Sequence, residues 1–380
     1  MKDLETIRNE IDKIDDVISK EYVKRMKLCK EVADVKKESN KTVLDGEREN
    51  KILYRITDGV EEEYKLYLKN VYETIFQTSK AYQNAIIDEK SDTVSMILKA
   101  EKEGIKDMPI RGSLACQGVN GAYSGIAGEK LFPISDITYF KTFDGVFSAV
   151  SGGLCEYGIL PIENSTAGSV LEVYDLMKKH SFHIVGSVRI KVSHCLAGIK
   201  GATKKDIVKV VSHPQALSQC KEYIEKNKYK QEEAENTAVS AKRVAENNDK
   251  TVAVICSPKC AKLYGLTIIE DCINDNANNY TRFICITKDF KIYKGSDKIS
   301  IMANLPHKSG SLNNLLTRFS VLGLNLTKIE SRPKVGSDFE FTFYFDFNGD
   351  IFEKKVQNLI TELENSLEGF TLLGCYKETL

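Results

Sequence analysis

The chain has 380 residues, 42% apolar and 28% charged, and its 54 Lys and Arg balance its 54 Asp and Glu. That length suits two to three domains, and the absence of a basic excess argues against binding nucleic acid or an anionic membrane surface. No apolar run approaches the ~18 to 20 residues of a membrane span. The charged stretch Met1 to Glu10 lacks the apolar centre of a signal peptide, so the expectation is a soluble cytoplasmic protein. Ten cysteines are scattered from Cys29 to Cys375 without a CxxC, and Cys256 and Cys260 have no second pair or His cluster beside them. Reduced, mostly buried thiols are expected, and no metal or cofactor.

In chain order, the first ninety residues carry no proline and only two glycines, Gly46 and Gly59. Leu4, Ile7, Ile11, Ile14 and Ile18 recur at three- and four-residue steps, the apolar stripe of a helix. The stripe extends through Tyr22, Leu28 and Val32, which predicts a first helix of over 30 residues. At 1.5 Å per residue that is about 45 Å, too long to be covered by two short helices of the same chain, and a partner subunit is the natural cover. A break is expected near Ser39-Asn40-Lys41, then helices from about Glu47 and from Glu61 to Ile87. Residues 88–108 read as a linker or helix tail.

From Pro109 short β-rich runs such as Ile207–Val211 and Val252–Cys256 alternate with helical stretches, the texture of an α/β sheet. Four segments there carry polar groups. Gly118-Val119-Asn120-Gly121-Ala122-Tyr123-Ser124 is a Gly-rich turn into a helix, without the spacing of a nucleotide-binding loop. Pro161-Ile162-Glu163-Asn164-Ser165-Thr166 follows the strand-like Gly158–Leu160. Ser212-His213-Pro214-Gln215-Ala216-Leu217-Ser218-Gln219 opens a helix whose N-terminus suits an anion. Asn279-Tyr280-Thr281-Arg282-Phe283 precedes an apolar strand, Ile284–Ile286.

The last eighty residues read as strand Lys298–Asn304, helix Gly310–Leu322, strands Leu324–Ser331 and Phe339–Phe347, a helix over 351–366 and a strand over 370–376. Phe339, Phe341, Phe343, Phe345 and Phe347 alternate, which predicts an inward aromatic face. The order βαββαβ is ferredoxin-like. An RNA-recognition module has the same order, but no basic segment accompanies the aromatics here.

Three resemblances follow from these residues. Leu4 to Asp12, Lys24-Arg25-Met26 and above all Asp45-Gly46-Glu47-Arg48-Glu49 resemble the AroQ-type chorismate mutase domain, over about residues 1–90. The resemblance implies that Arg8, Arg25 and Arg48 hold substrate carboxylates, that Lys36 and Gln83 donate to the ether oxygen, that Glu49 and the backbone near Asp45 take the ring hydroxyl, and that Ser79 sits against a carboxylate. It also implies that Arg8 comes from the neighbouring subunit. The chemistry suits these groups: a pericyclic rearrangement needs a dianion held in one conformer and donors at the breaking C–O bond.

Residues 109–288 resemble prephenate dehydratase, chiefly through Thr281-Arg282-Phe283 and Pro161-Ile162-Glu163-Asn164-Ser165. The implied fold is a two-lobed α/β domain similar to periplasmic binding proteins, with Thr281 as the hydroxyl donor to the departing group. Arg282 would be a carboxylate or structural partner, and Glu163, Asn164, Ser165, Ser212 and Gln219 would line the site. Residues 297–380, after a linker at 91–108 and the α/β domain, resemble the ACT domain through Gly310-Ser311-Leu312 and Glu330-Ser331-Arg332-Pro333, implied to bind L-phenylalanine between subunits. The family usually has Gly-Ala-Leu-Val where this chain reads Gly310-Ser311-Leu312-Asn313.

The whole chain is therefore similar to the bifunctional chorismate mutase–prephenate dehydratases (P-proteins): a multidomain homodimer or homotetramer acting on chorismate and prephenate. Two rivals stay open at this point. One is an amino-acid sensor without turnover, and the other is a dehydratase preferring arogenate, which no residue distinguishes.

Overall fold

The computed structural model describes residues 2–39, 43–87, 91–334 and 340–380. Asn40 and Lys41 of the expected break, residues 88–90 of the expected linker, and Phe339 lie outside the described residues. The chain forms two compact units: residues 1–102 with 301–372, and residues 103–300 with 373–380.

In the first unit, helix α1 (Leu4–Glu38) starts where the Asp3 carboxylate accepts the Thr6 N–H at 2.7 Å. Its 35 residues rise about 52 Å. Leu4, Ile7, Ile11, Ile14 and Ile18 are 41–62% exposed, so among the described residues the apolar stripe of its first half stays largely uncovered. The second half packs on α3 (Glu62–Asn84), with Tyr22 OH donating to Thr78 Oγ1 at 2.8 Å. Between them lies α2 (Gly46–Thr57), capped by Asp45, whose carboxylate accepts the Arg48 N–H at 3.0 Å.

The segment expected to be linker instead contains α4 (Asp92–Glu103). Ser91 Oγ accepts the Val94 N–H at 2.9 Å and Ile97 is fully buried, so a cap and a short apolar stripe suffice for a helix there.

The second unit has two α/β lobes. Its elements in order are β1 (Arg111–Gln117), α5 (Tyr123–Leu131), β2 (Ile134–Phe140), α6 (Phe143–Ser151), β3 (Tyr157–Asn164), β4 (Gly168–Ser169), α7 (Leu171–Met177) and β5 (His183–Lys191). Then come β6 (Cys195–Gly198), β7 (Lys209–Ser212), α8 (Pro214–Ser218), α9 (Lys221–Lys226), β8 (Lys230–Glu233), α10 (Thr237–Asn247), β9 (Val252–Cys256), α11 (Pro258–Leu263), β10 (Thr267–Glu270) and β11 (Tyr280–Thr287). One lobe has the sheet order β5-β11-β3-β1-β2, with β4 on β3; the other is the five-stranded sheet β10-β6-β9-β7-β8. The strand centres are apolar on both faces, as in Leu114-Ala115-Cys116 at zero exposure, because helices cover both sides.

The chain passes between the lobes twice, at 192–194 and at 271–279. These connections are tied together, with Val192 N donating to Asn279 O and Ile273 N to His194 O. The described β7 begins two residues later than expected, and α8 is only five residues long.

The last elements are β12 (Lys298–Leu305), α12 (Ser311–Val321), β13 (Asn325–Pro333), β14 (Phe341–Asn348), α13 (Lys354–Ser366), β15 (Thr371–Tyr376) and β16 (Glu378–Thr379). The four-stranded order β13-β14-β12-β15 is the ferredoxin-like sheet. Phe345 and Phe347 are buried against Phe319, at ring separations of 6.1 and 5.1 Å. Phe341 and Phe343 are only half-buried, so the aromatic face is core at one end alone.

In the first unit, α3 and α13 are joined by Asn84 Nδ2 donating to Glu362 Oε2 at 2.9 Å. The expected C-terminal domain ran to residue 380, but β16 leaves it. Glu378 and Thr379 add as a parallel strand to β5 of the α/β unit.

Candidate active sites

Helix α3 buries an unusual set of polar side chains: Gln77, Ser79, Lys80, Gln83 and Asn84 are all under 10% exposed. Buried polar groups on one helix face mark a site or a network. Arg25, one helix away, donates from Nη1 to Ser79 Oγ, and its guanidinium lies 6.0 Å from the Phe76 ring. Gln83 Nε2 donates to Ser79 O at 3.2 Å, while Gln83 Oε1 is buried with no partner. Lys36 Nζ donates to Val43 O at 2.8 Å, which leaves two of its three N–H groups for a ligand. Glu49 pairs with the buried Lys80 at 3.0 Å.

The structure thus gathers Arg25, Ser79 and Gln83, and sets Asp45 as a helix cap. Arg8 and Arg48 are exposed. Arg8 precedes Arg25 by 17 residues, about 26 Å along one straight helix, so one chain cannot bring both to one small ligand.

The second candidate is a cleft of about 450 Å³ between the lobes, lined among others by Tyr123, Ser124, Asn164, His194, His213, Gln219, Asn236, Thr237 and Thr281. Asn164 ends β3 and pairs in register with Thr281 at the start of β11. The register shifts between Arg282 and Phe283, leaving Ile162 as an extra residue on β3. That bulge lets Pro161 and Asn164, three apart, face the same cleft as Thr281 and Phe283, two apart.

Asn164 is held from both ends. Its Oδ1 accepts the Thr166 and Ala167 N–H groups at 3.0 and 2.8 Å, which fixes which amide atom is nitrogen. Its Nδ2 then donates to Asn279 Oδ1 at 2.7 Å and to Thr281 Oγ1 at 3.0 Å. With Oγ1 accepting, the Thr281 hydroxyl proton is free to donate elsewhere.

None of the cleft residues is Lys or Arg. The starts of α5 and α10 border the cleft, and Asn236 caps α10 by accepting from Ala238 N at 2.8 Å.

Three expected lining residues, Glu163, Ser165 and Ser212, are absent from the cleft's lining, as is Arg282. Arg282 and Glu163 are cross-strand neighbours on the opposite face of the sheet and form a 2.7 Å ion pair, since side chains alternate along a strand. Arg282 is also near Glu378, at 3.8 Å, so it is a structural partner in this chain. Ser165 is exposed and bonds Asn278 O and the Tyr280 N–H. Ser212 is fully buried, donating to Ile255 O at 2.6 Å. The helix after His213 is a single short turn and adds little dipole.

In the ferredoxin-like segment, Gly310 caps α12 at φ +84°, a conformation that favours glycine. Ser311 and Leu312 form the first turn and are half-buried. Glu330, Ser331, Arg332 and Pro333 close β13, an edge strand whose residues alternate between exposed and half-buried.

Two family models match successive stretches of the chain. The prephenate dehydratase family model matches residues 114–291, and that of chorismate mutase type II matches residues 7–84. Arogenate dehydratase/prephenate dehydratase 2, chloroplastic, of Arabidopsis thaliana is 37% identical over 278 residues, covering 70% of this chain and 73% of that one. This chain belongs to the prephenate dehydratase family and carries a type II chorismate mutase domain ahead of the dehydratase domain.

Among solved structures, GqqA, described as a quorum-quenching acylase, superposes with TM-score 0.65 at 28% identity, covering 70% of this chain and 98% of its own. Prephenate dehydratase of Arthrobacter aurescens in complex with L-Phe gives TM-score 0.64 at 24% identity, covering 70% and 89%, and shares the fold. Among the described residues of the mutase–dehydratase no helix is long and apolar enough to cross a membrane.

Sequence reasoning missed several groups in this enzyme. Lys80 is adjacent to Ser79 and reads as one more helix lysine; only its burial against Glu49 singles it out. Asn236 carries a cap signal, Asn before Thr-Ala-Val, that could have placed a helix start at the cleft. His194 stands alone between two strands and carries no local signal.

Proposed function

We propose that this enzyme converts chorismate to prephenate at the α1–α3 site and prephenate to phenylpyruvate in the interlobe cleft, under feedback inhibition by L-phenylalanine bound at the ferredoxin-like segment. The observation that carries the dehydratase reading is the Asn164–Thr281 hydrogen bond. In the reaction the C–CO2⁻ bond electrons pass into the ring as the C–OH bond breaks, CO2 leaves, the departing hydroxide takes up one proton originating in solvent to leave as water, and the ring becomes aromatic. A carboxylate leaves spontaneously once the hydroxyl can depart, so the protein's task is a donor at that oxygen. With Oγ1 capped by Asn164, the Thr281 O–H is the aimed donor. Gln219 and the N-termini of α5 and α10 hold the remaining carboxylate without a formal cation.

In the mutase, Arg25 and Arg48 hold the carboxylates, Lys36 and Gln83 donate to the ether oxygen, and Ser79 and Glu49 complete the contacts. Arg8 is supplied by a second copy. An antiparallel partner crossing α1 near residue 16 would cover the exposed stripe Leu4 to Ile18 and bring the partner subunit's Arg8 beside Arg25. The homodimer is thus part of the mutase site. Gly310 to Leu312 and Glu330 to Pro333 are the effector contacts. The ten cysteines form no disulfide among the described residues and nine of them are buried, which fits a reducing compartment such as the cytoplasm.

The test is a purified-enzyme assay with chorismate, prephenate and arogenate supplied separately, with and without L-phenylalanine. Phenylpyruvate from prephenate, lowered by phenylalanine, supports the reading. Turnover of arogenate alone would reassign the second substrate, and no turnover of either would leave a sensor.

A further inference from the structure

His194 lies on the first interlobe connection and lines the cleft, only 3% exposed. Its backbone is fixed by the second connection: His194 N donates to Asn274 Oδ1 at 2.6 Å, and His194 O accepts from Ile273 N. Its ring meets Gln219, with Nε2 3.0 Å from Gln219 Oε1. Gln219 is tied to the same junction, since its backbone O accepts the Asp275 N–H at 2.9 Å.

The ring's other nitrogen, Nδ1, is buried with no hydrogen-bond partner among the described residues. Burial disfavours the charged imidazolium, so one ring nitrogen carries a proton and the other does not. An orphaned buried N–H is rarer than an orphaned acceptor, which places the proton on Nε2, donating to Gln219 Oε1. With its carbonyl so engaged, Gln219 keeps its NH2 group as a donor; the residue lines the cleft, and among the described residues that NH2 donates to no protein group.

We propose that His194 is a positioning residue of the dehydratase: its Nε2–H holds the Gln219 carbonyl and thereby aims the Gln219 amide N–H groups at the carboxylate that the substrate keeps. The inference rests on the dehydratase reading of the cleft. It adds a residue from the connection between the lobes, so that a group at the junction orients a substrate contact on one of them.

The experiment measures phenylpyruvate formation from prephenate by the full-length enzyme carrying H194F, H194Q, Q219A or H194F/Q219A, with melting temperatures read in parallel. H194F removes the donor while keeping a flat ring. H194Q returns an N–H near the Nε2 position and keeps the test if H194F does not fold. A retained carboxylate is present in substrate and transition state alike, so the loss falls mainly on KM.

The expected result is a loss of roughly tenfold or more in kcat/KM for H194F, recovery for H194Q to within a few-fold of wild type, and no further loss when H194F is added to Q219A. Wild-type activity in H194F, an H194Q no better than H194F, or losses that multiply in the double variant would each overturn the proposal. Failure of the wild type itself to consume prephenate would instead overturn the reading of the cleft.

Discussion

Asn164→Asp replaces one heavy atom of the dehydratase site and changes little of its shape. The new side chain's Oδ1 keeps the Thr166 and Ala167 N–H bonds, at 3.0 and 2.8 Å in the wild type, and those two donors favour the ionised carboxylate. The other oxygen replaces Nδ2 and becomes an acceptor 3.0 Å from Thr281 Oγ1, so the hydroxyl proton turns to the new carboxylate and away from the cleft. It also faces Asn279 Oδ1 at 2.7 Å and Tyr280 O at 3.2 Å, two acceptors that previously received a proton.

Loss of one aimed donor at a developing charge costs about 2.7 to 4 kcal/mol, or about 10² to 10³ in kcat. The assay follows phenylpyruvate from prephenate, with chorismate consumption by the same sample as the internal standard. A kcat within threefold of wild type, with the mutase rate unchanged, would refute the argument that Asn164 orients the Thr281 hydroxyl.

Three further outcomes are expected. Arg282→Met leaves the Glu163 carboxylate without its 2.7 Å partner and removes a cation that is 4% exposed. Breaking a buried pair this way costs about 3 kcal/mol or more, and calorimetry of the α/β unit's transition shows it as a lowered Tm; an unchanged Tm contradicts the structural role. Ile11→Glu places a charge on the exposed stripe of α1 and lowers mutase kcat/KM by about a hundredfold, while dehydratase turnover persists; an undiminished mutase rate would show that α1 needs no partner.

The third concerns pH. Burial holds the His194 imidazole below its ordinary 6.5, so the unfolded chain takes up a proton in a range where the native state does not. Stability therefore rises with pH through that window and falls on acidification below about pH 6.5. Melting curves from pH 5 to 7.5 should be flatter for H194Q than for wild type, and identical slopes would mean that His194 titrates normally.

How much of this was legible in the sequence depends on how local each signal is. The stripe from Leu4 to Ile18 announced a long helix and its uncovered face, because helical periodicity is carried by the residues themselves. Thr281 and Asn164 were found as members of short motifs. Their facing arrangement was not, since it depends on a strand register and on the Ile162 bulge.

Glu163 was expected in the site by resemblance, and Arg282 as a carboxylate or structural partner. The strand alternation that the bulge does not disturb at that pair turns them to the other face, where they neutralise each other. The polar run from Pro161 reads as a segment following a strand that ends at Leu160, whereas β3 continues through it to Asn164. The tail after β15 was invisible because Glu378 finds its partners, Arg189 at 2.6 Å and Lys298 at 3.0 Å, far away in sequence.

The central claim is one chain with two successive active sites, the second depending on one hydroxyl. It is tested most directly by feeding chorismate to wild type and Thr281→Ala and following prephenate and phenylpyruvate separately. The expected result is that wild type releases phenylpyruvate and that Thr281→Ala accumulates prephenate at an unchanged mutase rate. Equal phenylpyruvate from both proteins would contradict it.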